Sequence, residues 1–225
     1  MTRDLFNAIA KQYDRNNTVL SLGLHKKWNR ALINAVSPAG GTLLDLCAGT
    51  GAIALTALKT PKPPASAILV DFSAEMLAIA KRSAPANATC IEADVQHLPL
   101  EDTSVDAVTQ AYGIRNVADP IQCAREVFRV LRPGGRWGIL ELTRPPNRLI
   151  APFHGLYLRT LVPTLGRLLS SDKQAYSYLS SSIRHFVDPK TLAEQIETTG
   201  LRLASCQRLT LGTATLVVFE KPAAQ

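Results

Sequence analysis

The chain has no stretch of about 20 uncharged residues, the length a helix needs to cross a bilayer, so it offers no spanning helix. Cysteine is scarce. Cys47, Cys90, Cys123 and Cys206 stand apart with no CxxC pair, which reads as free thiols and not as a metal knuckle or a redox dithiol. His25, His97, His154 and His185 are equally scattered, and no metal site is expected. Internal repeats and low-complexity tracts are missing. Residues 1–17 lack the continuous apolar core of a signal peptide, which predicts a protein that stays in the compartment where it is made. Acidic side chains are outnumbered, 18 against 25 Lys and Arg, for a net charge of +7. That balance suits nucleic acid, an acidic substrate or an anionic membrane surface, and does not choose among them.

What is present is a globular composition, 46% hydrophobic and 19% charged over 225 residues, with no linker in the middle. One domain is expected across residues 1–225. Its centre is the stretch Thr42-Leu43-Leu44-Asp45-Leu46-Cys47-Ala48-Gly49-Thr50-Gly51-Ala52, an apolar run ending in a glycine turn that opens into a helical pattern. Glycine allows positive φ and a close approach to a ligand, and N–H groups at a helix start attract negative groups. The loop is a candidate cofactor cradle.

Helical spacing predicts a helix over Leu5–Lys11, a polar turn at residues 13–17, and a second helix over His25–Val36. Residues 1–41 are expected to form a helical cover. After the glycine loop come a helix Ile53–Leu58, a strand Ala67–Val70 closed by Asp71, a helix Ser73–Ser83 and a strand Ala88–Ala93 followed by Asp94 and Val95. Asp71 stands where a doubly wound sheet puts an acid on ribose hydroxyls; as an alternative, it begins the helix that Ser73 caps. A strand Val105–Ala111 leads to the polar Tyr112-Gly113-Ile114-Arg115-Asn116, a helix Pro120–Leu131 follows, and Arg136–Leu142 is the fifth strand. Residues 144–188 break the alternation as an insertion on the substrate side, and a helix over Thr191–Thr199 follows. Leu201–Leu209 and Ala214–Glu220 close the chain as a hairpin through Gly212. Alternating strands and helices predict an α/β fold with ligands beyond the carboxyl ends of the strands.

The pattern resembles the Rossmann-like class I S-adenosylmethionine-dependent methyltransferases, which implies a seven-stranded mostly parallel sheet of order 3-2-1-4-5-7-6 with helices on both faces. The Asp45–Gly51 motif, Asp71, Asp94 and the Leu131–Gly135 turn carry that likeness. Tyr112–Val117 is more specific and is similar to the signature of the ubiquinone and menaquinone biosynthesis C-methyltransferases. So are Tyr13-Asp14-x-x-Asn17, Ser21-x-Gly23-x-His25-x-x-Trp28 and Tyr176-x-Tyr178-Leu179-x-x-Ser182-Ile183-Arg184.

The resemblance implies S-adenosylmethionine as cofactor, bound by Asp45, Gly49, Thr50, Gly51, Asp71, Asp94 and Val95, and by Ala111 where the family often has serine. It also implies C-methylation of a prenylated quinol ring in menaquinone or ubiquinone biosynthesis, with Arg115, Asn116, Tyr13 and Asp14 near the ring. A homodimer stays open. Two alternatives also stay open: a methyltransferase for another small molecule or nucleic acid, and a dinucleotide-dependent oxidoreductase. Against the first, the loop after the fourth strand is not the Asn/Asp-Pro-Pro-aromatic type, so no nucleic acid is expected; against the second, alanine stands third in the Gly49–Ala54 turn, a permitted change.

A prenyl tail lives in lipid, so the expected location is cytoplasmic and peripheral at the inner membrane face. Leu149–Phe153, Leu156–Leu158, Leu161, Val162 and Leu165, interspersed with Arg148, Arg159 and Arg167, suit an interfacial segment or, alternatively, a helical lid packed on the sheet.

Overall fold

The computed structural model describes Asn7, Ala10, residues 13–161, Thr164 and residues 173–223. Most of the expected helix Leu5–Lys11, together with Val162, Leu165 and Arg167, lies outside the described residues.

Seven strands form one sheet of order β3-β2-β1-β4-β5-β7-β6. They are β1 (Thr42–Leu46), β2 (Ser66–Asp71), β3 (Ala88–Glu92), β4 (Val105–Ala111), β5 (Leu131–Leu142), β6 (Arg202–Leu209) and β7 (Ala214–Glu220). The first five run parallel, and β7 lies antiparallel between β5 and β6. Central strands of such a sheet are covered on both faces, which is why β1 and β7 are largely apolar and why even the polar Thr109 and Gln110 of β4 are buried. β5 begins at Leu131, ahead of the apolar run at Arg136, because Leu131 pairs with Val105 before a bulge carries the chain past Gly134.

Helices α1 (Tyr13–Leu20), α2 (Leu24–Val36), α3 (Ala52–Ala57), α4 (Ala74–Ser83) and α5 (Pro120–Val130) precede β5. α6 (Ala151–Leu156), a π-helical turn Tyr157–Leu161, α7 (Lys173–His185) and α8 (Pro189–Glu197) follow it. Local chemistry sets several starts. Ser73 Oγ accepts from the Met76 N–H at 3.2 Å, and Asp119 accepts from Ile121 and Gln122 at 3.0 and 2.9 Å, with Pro120 in the first helical position.

One apolar cluster joins the sheet to α2, α3 and α4 through residues such as Leu32, Ala54 and Leu77. The other joins the opposite face to α5 and α8 through Val127, Trp137 and Ile196. A small third cluster, Leu158 and Ile183 with Leu20, binds the insertion to α1.

The expected turn at residues 13–17 is a correction: it is the first part of α1. The backbone carbonyls of Asp14 and Asn17 take bonds from side chains one turn further on. Thr18 Oγ1 donates to the Asp14 carbonyl at 2.8 Å, Ser21 Oγ donates to the Asn17 carbonyl at 2.6 Å, and Asn16 is turned inward and buried. Tertiary contact overrides weak local preference here.

Candidate active site

The glycine loop after β1 is held from below and from the side. Asp45 is buried and accepts from Thr109 Oγ1 at 2.8 Å and from the Ala54 N–H at 3.1 Å, fastening the first turn of α3 to β4. Burial pushes its carboxyl up to about 7. Gly51 has φ +83°, and a Cβ there would stand 2.9 Å from Leu69 Cδ2, so the turn requires glycine in both conformation and space.

Asp71, at the end of β2, accepts from the Gly49 N–H at 2.8 Å and from the Ser73 N–H at 2.9 Å. Burial raises its carboxyl, while those backbone donors and that of Phe72 pull the other way. A carboxylate has about four lone-pair sites, so three backbone donors leave Asp71 able to accept from one further hydroxyl. The Gly49 N–H, by contrast, is already used.

Asp94, after β3, is exposed and accepts from the Gln96 N–H and side-chain amide at 2.9 and 3.0 Å, while Val95 is buried in the wall behind it. Gln96 Oε1 in turn accepts from the Asp119 N–H at 2.9 Å.

At the end of β4, Ala111 is followed by Tyr112 with φ +58°, and next to it β1 is followed by Cys47 with φ +53°. A Cβ on Gly113 would lie 2.4 Å from Cys47 Cβ, so the two strand ends touch only because residue 113 is glycine. Arg115 and Asn116 follow in a one-turn 3-10 helix.

The Arg115 guanidinium pairs with Glu141 of β5; both side chains are nearly buried, at 6% and 3% exposure. It also donates to the Tyr112 carbonyl at 2.7 Å and to Ser182 Oγ of α7 at 3.2 Å. Burial raises the Glu141 carboxyl against the pull of Arg115. Asn116 Oδ1 accepts from the Tyr178 hydroxyl of α7 at 2.9 Å, and Asn116 Nδ2 donates to the Tyr112 carbonyl at 3.4 Å. Where the turn meets α7 lies a cavity of about 300 Å³, lined by Ile114, Arg115, Tyr178, Ser182, His185 and Phe186 among others.

The N-terminal segment reaches the same region. Thr50 Oγ1 donates to Asp14 Oδ1 at 2.7 Å, and Ser73 Oγ donates to Asn7 Oδ1 at 2.6 Å. Asp14 therefore sits on the glycine loop. Tyr13 opens α1, and its side chain lies outside the described residues.

The strand ends thus gather Gly49, Thr50, Gly51, Asp71, Asp94, Ala111, Arg115 and Asn116 along one edge of the sheet, with Asp45 and Val95 behind it. The donor set fits an adenosyl ligand: acceptor carboxylates follow β2 and β3, and glycines clear the space between. Glu141 was not among the expected residues. The signal was available, since a lone carboxylate in an apolar strand demands a partner. Tyr178 and Ser182 belong to the quoted α7 motif, and their bonds to Asn116 and Arg115 give that motif a physical reason. In the α2 motif, Ser21 Oγ lies 2.7 Å from His25 Nδ1, and Trp28 Nε1 donates to Thr210 Oγ1 at 2.9 Å, so those residues build the turn between α1 and α2 and tie it to the β6–β7 turn. Among the described residues no group of His, Cys, Asp and Glu is placed to hold a metal.

Among solved structures, a S-adenosylmethionine-dependent methyltransferase of Thermotoga maritima superposes with a TM-score of 0.69 at 15% identity, covering 98% of this chain and 100% of that one. The geranyl diphosphate C-methyltransferase of Streptomyces coelicolor gives 0.66 at 14% identity, covering 90% and 81%. Likeness at these identities concerns the fold. In sequence, the chain is 46% identical to a protein of Protochlamydia amoebophila, over 97% of this chain and 93% of that one. It is 45% identical to one of Chlamydia pneumoniae, over 97% and 95%. Both relatives are named demethylmenaquinone methyltransferase. A model of the ubiE/COQ5 methyltransferase family matches residues 1–221, and with these relatives it shows that the chain belongs to that family.

Proposed function

We propose that the chain transfers a methyl group from S-adenosylmethionine to a ring carbon of a prenylated naphthoquinol. The observation that carries this is the identity of 46% along nearly the full length of a relative named for that reaction. The bound cofactor supplies an electrophilic methyl on a sulfonium. Everything else falls to the chain: hold the donor, align the ring, exclude water and let the ring proton leave. A quinol hydroxyl would feed electron density into the ring carbon that takes the methyl.

In this reading Asp71 accepts from the ribose diol and Asp94 from the adenine amino group, while the turn around Thr50 faces the methionine end. Ala111 offers no hydroxyl at the position where the family often has serine. The quinol enters beside the cavity between the signature turn and α7, where the Asn116 and Tyr178 pair provides polar contacts. Arg115 is assigned a positioning role, since its Nε and Nη1 groups are engaged by Ser182, Tyr112 and Glu141. Asp14 joins the N-terminal cover to the cofactor loop. Residues 1–225 are read as one domain, with 1–41 as cover and 144–188 as the substrate-side insertion.

No helix among the described residues is long and apolar enough to cross a membrane. The proposed setting is cytoplasmic, with transient contact at the inner membrane face, where a prenyl tail would be presented; a homodimer is compatible with this. Nothing in the site or the relatives favours a nucleic-acid substrate or a dinucleotide.

The test is direct. Purified protein with S-adenosylmethionine and a reduced demethylnaphthoquinol should yield the ring-methylated product by mass spectrometry, in preference to a benzoquinol supplied in competition. Cells lacking the protein should accumulate the demethylated quinone. Failure of both would overturn the reading.

A further inference from the structure

Among the described residues, five large apolar side chains stand out in water: Leu22, Leu149, Phe153, Leu156 and Leu211, from 59% exposed for Leu156 to 85% for Leu22. Scattered singly they would need no explanation. They are not scattered. All five belong to three segments that touch one another: the α1–α2 turn, the start of the insertion through α6, and the β6–β7 turn.

The contacts close a triangle. The Tyr157 hydroxyl, just past α6, donates to the Leu20 carbonyl. Trp28 of α2 donates to Thr210. Gly212 comes so near Pro146 that a Cβ there would lie 2.8 Å from the proline ring. Phe153 and Leu156, three residues apart in α6, share one side of that helix, and Leu149 stands in the turn just before it.

Backbone conformation adds an independent sign. Leu22 and Leu211 are the turn residues with φ +50° and +60°, a region in which a branched side chain is disfavoured and glycine or asparagine is preferred. Each turn thus carries a leucine that is strained and unburied at once. Neither packing nor turn chemistry accounts for that choice.

Charge names the partner. Residues 20–30, 144–161 and 206–213 contain no Asp or Glu, while Lys26, Lys27, Arg148, Arg159 and Arg208 are exposed among them. Exposed apolar side chains in segments that carry cations and no acid match a surface of anionic headgroups over acyl chains. We infer that this three-segment face docks on an anionic lipid bilayer, with Leu22, Leu211 and the α6 side chains entering the headgroup layer. The inference rests on the reading above in giving the lipid a purpose, yet it stands on this face alone and brings in two turns far from the insertion in sequence.

The experiment is vesicle sedimentation with the full chain. Wild type should bind phosphatidylglycerol vesicles at least tenfold more tightly than phosphatidylcholine vesicles and lose the difference in high salt. The triple variant Leu22→Asn, Phe153→Asn, Leu211→Asn should bind at least tenfold more weakly. Its melting temperature should hold, because asparagine accepts the left-handed conformation, and its S-adenosylmethionine affinity should not change. Equal binding by wild type and variant overturns the inference, and so does a wild type that ignores anionic vesicles. Lipid-free self-association that the triple variant abolishes would assign the face to a second copy and overturn it too. Methyl transfer to a short-tailed soluble quinol, measured alongside, separates the two readings: a chain that docks without transferring loses only the reaction, and one that transfers without docking loses only the face.

Discussion

Asp14 and Thr50 are 36 residues apart in sequence and share a 2.7 Å hydrogen bond that joins the first described helix to the glycine loop. It makes the cover and the cofactor site one unit. Thr50→Val and Asp14→Asn should each weaken S-adenosylmethionine binding by about 1 kcal/mol, the usual net worth of such a bond. The double variant should be little worse than either single one, since both remove the same contact. Calorimetry that finds the two losses additive would show that the bond does not serve the cofactor.

Asp71 has two duties, and substitution separates them. Asp71→Ala should cost about 1.5–3 kcal/mol of cofactor affinity, the range for a hydrogen bond to a charged group. It also deprives the Gly49 and Ser73 N–H groups of their acceptor, so a lowered melting temperature is expected. Asp71→Asn should lose less stability and still lose affinity. Unchanged affinity in that folded variant would remove Asp71 from the ribose.

For Arg115 the informative experiment is a pair. Arg115→Ala leaves Glu141 buried without its cation and should cost about 3–5 kcal/mol of stability. Adding Glu141→Gln removes the stranded charge and should restore most of that loss. The positioning role predicts that turnover stays low in the double variant while cofactor affinity recovers, because α7 keeps its Tyr178–Asn116 bond to the signature turn but has lost the Ser182–Arg115 one. Turnover returning with stability would reduce Arg115 to a structural ion pair.

Asp45 predicts a pH dependence. Its folded carboxyl, near 7, is raised above the ordinary carboxylate value of 3.8. Between those values the folded chain holds a proton that the unfolded chain has released, so this group's contribution to stability falls as pH rises from about 4 to 7 and is flat beyond. Asp45→Asn cannot titrate. The melting temperature of wild type minus that of the variant should therefore decline across the same window; a flat difference would show that Asp45 is charged throughout.

Much of the sheet was legible because its strands are short, apolar on both faces and bounded by turn residues: Val105–Ala111 and Ala214–Glu220 lie at the positions that the sequence marks. Asp71, the glycine turn and the Tyr112–Asn116 stretch were legible for the same reason, since a strand's carboxyl end announces where its loop begins. Residues 13–17 were not, because Asp and Asn signal turns by bonding to nearby backbone, whereas here Asp14 bonds to Thr50 of the glycine loop and Asn16 is buried. Partnerships across the sheet were equally hidden. Nothing local connects Arg115 to Glu141 or Asn116 to Tyr178; only the folded order of strands does.

The position of β7 has a consequence for how the molecule is made. Six strands leave the ribosome before it, yet the slot it fills lies between β5 and β6, not at the rim. Until Ala214–Glu220 emerges, β5 presents an unpaired edge, and the apolar faces that Leu216, Val218 and Phe219 will cover stay open. A nascent chain therefore exposes a strand edge inside the final sheet until β7 has emerged, and a chain cut before Ala214 would leave β5 unpaired on that side and β6 with no strand to join.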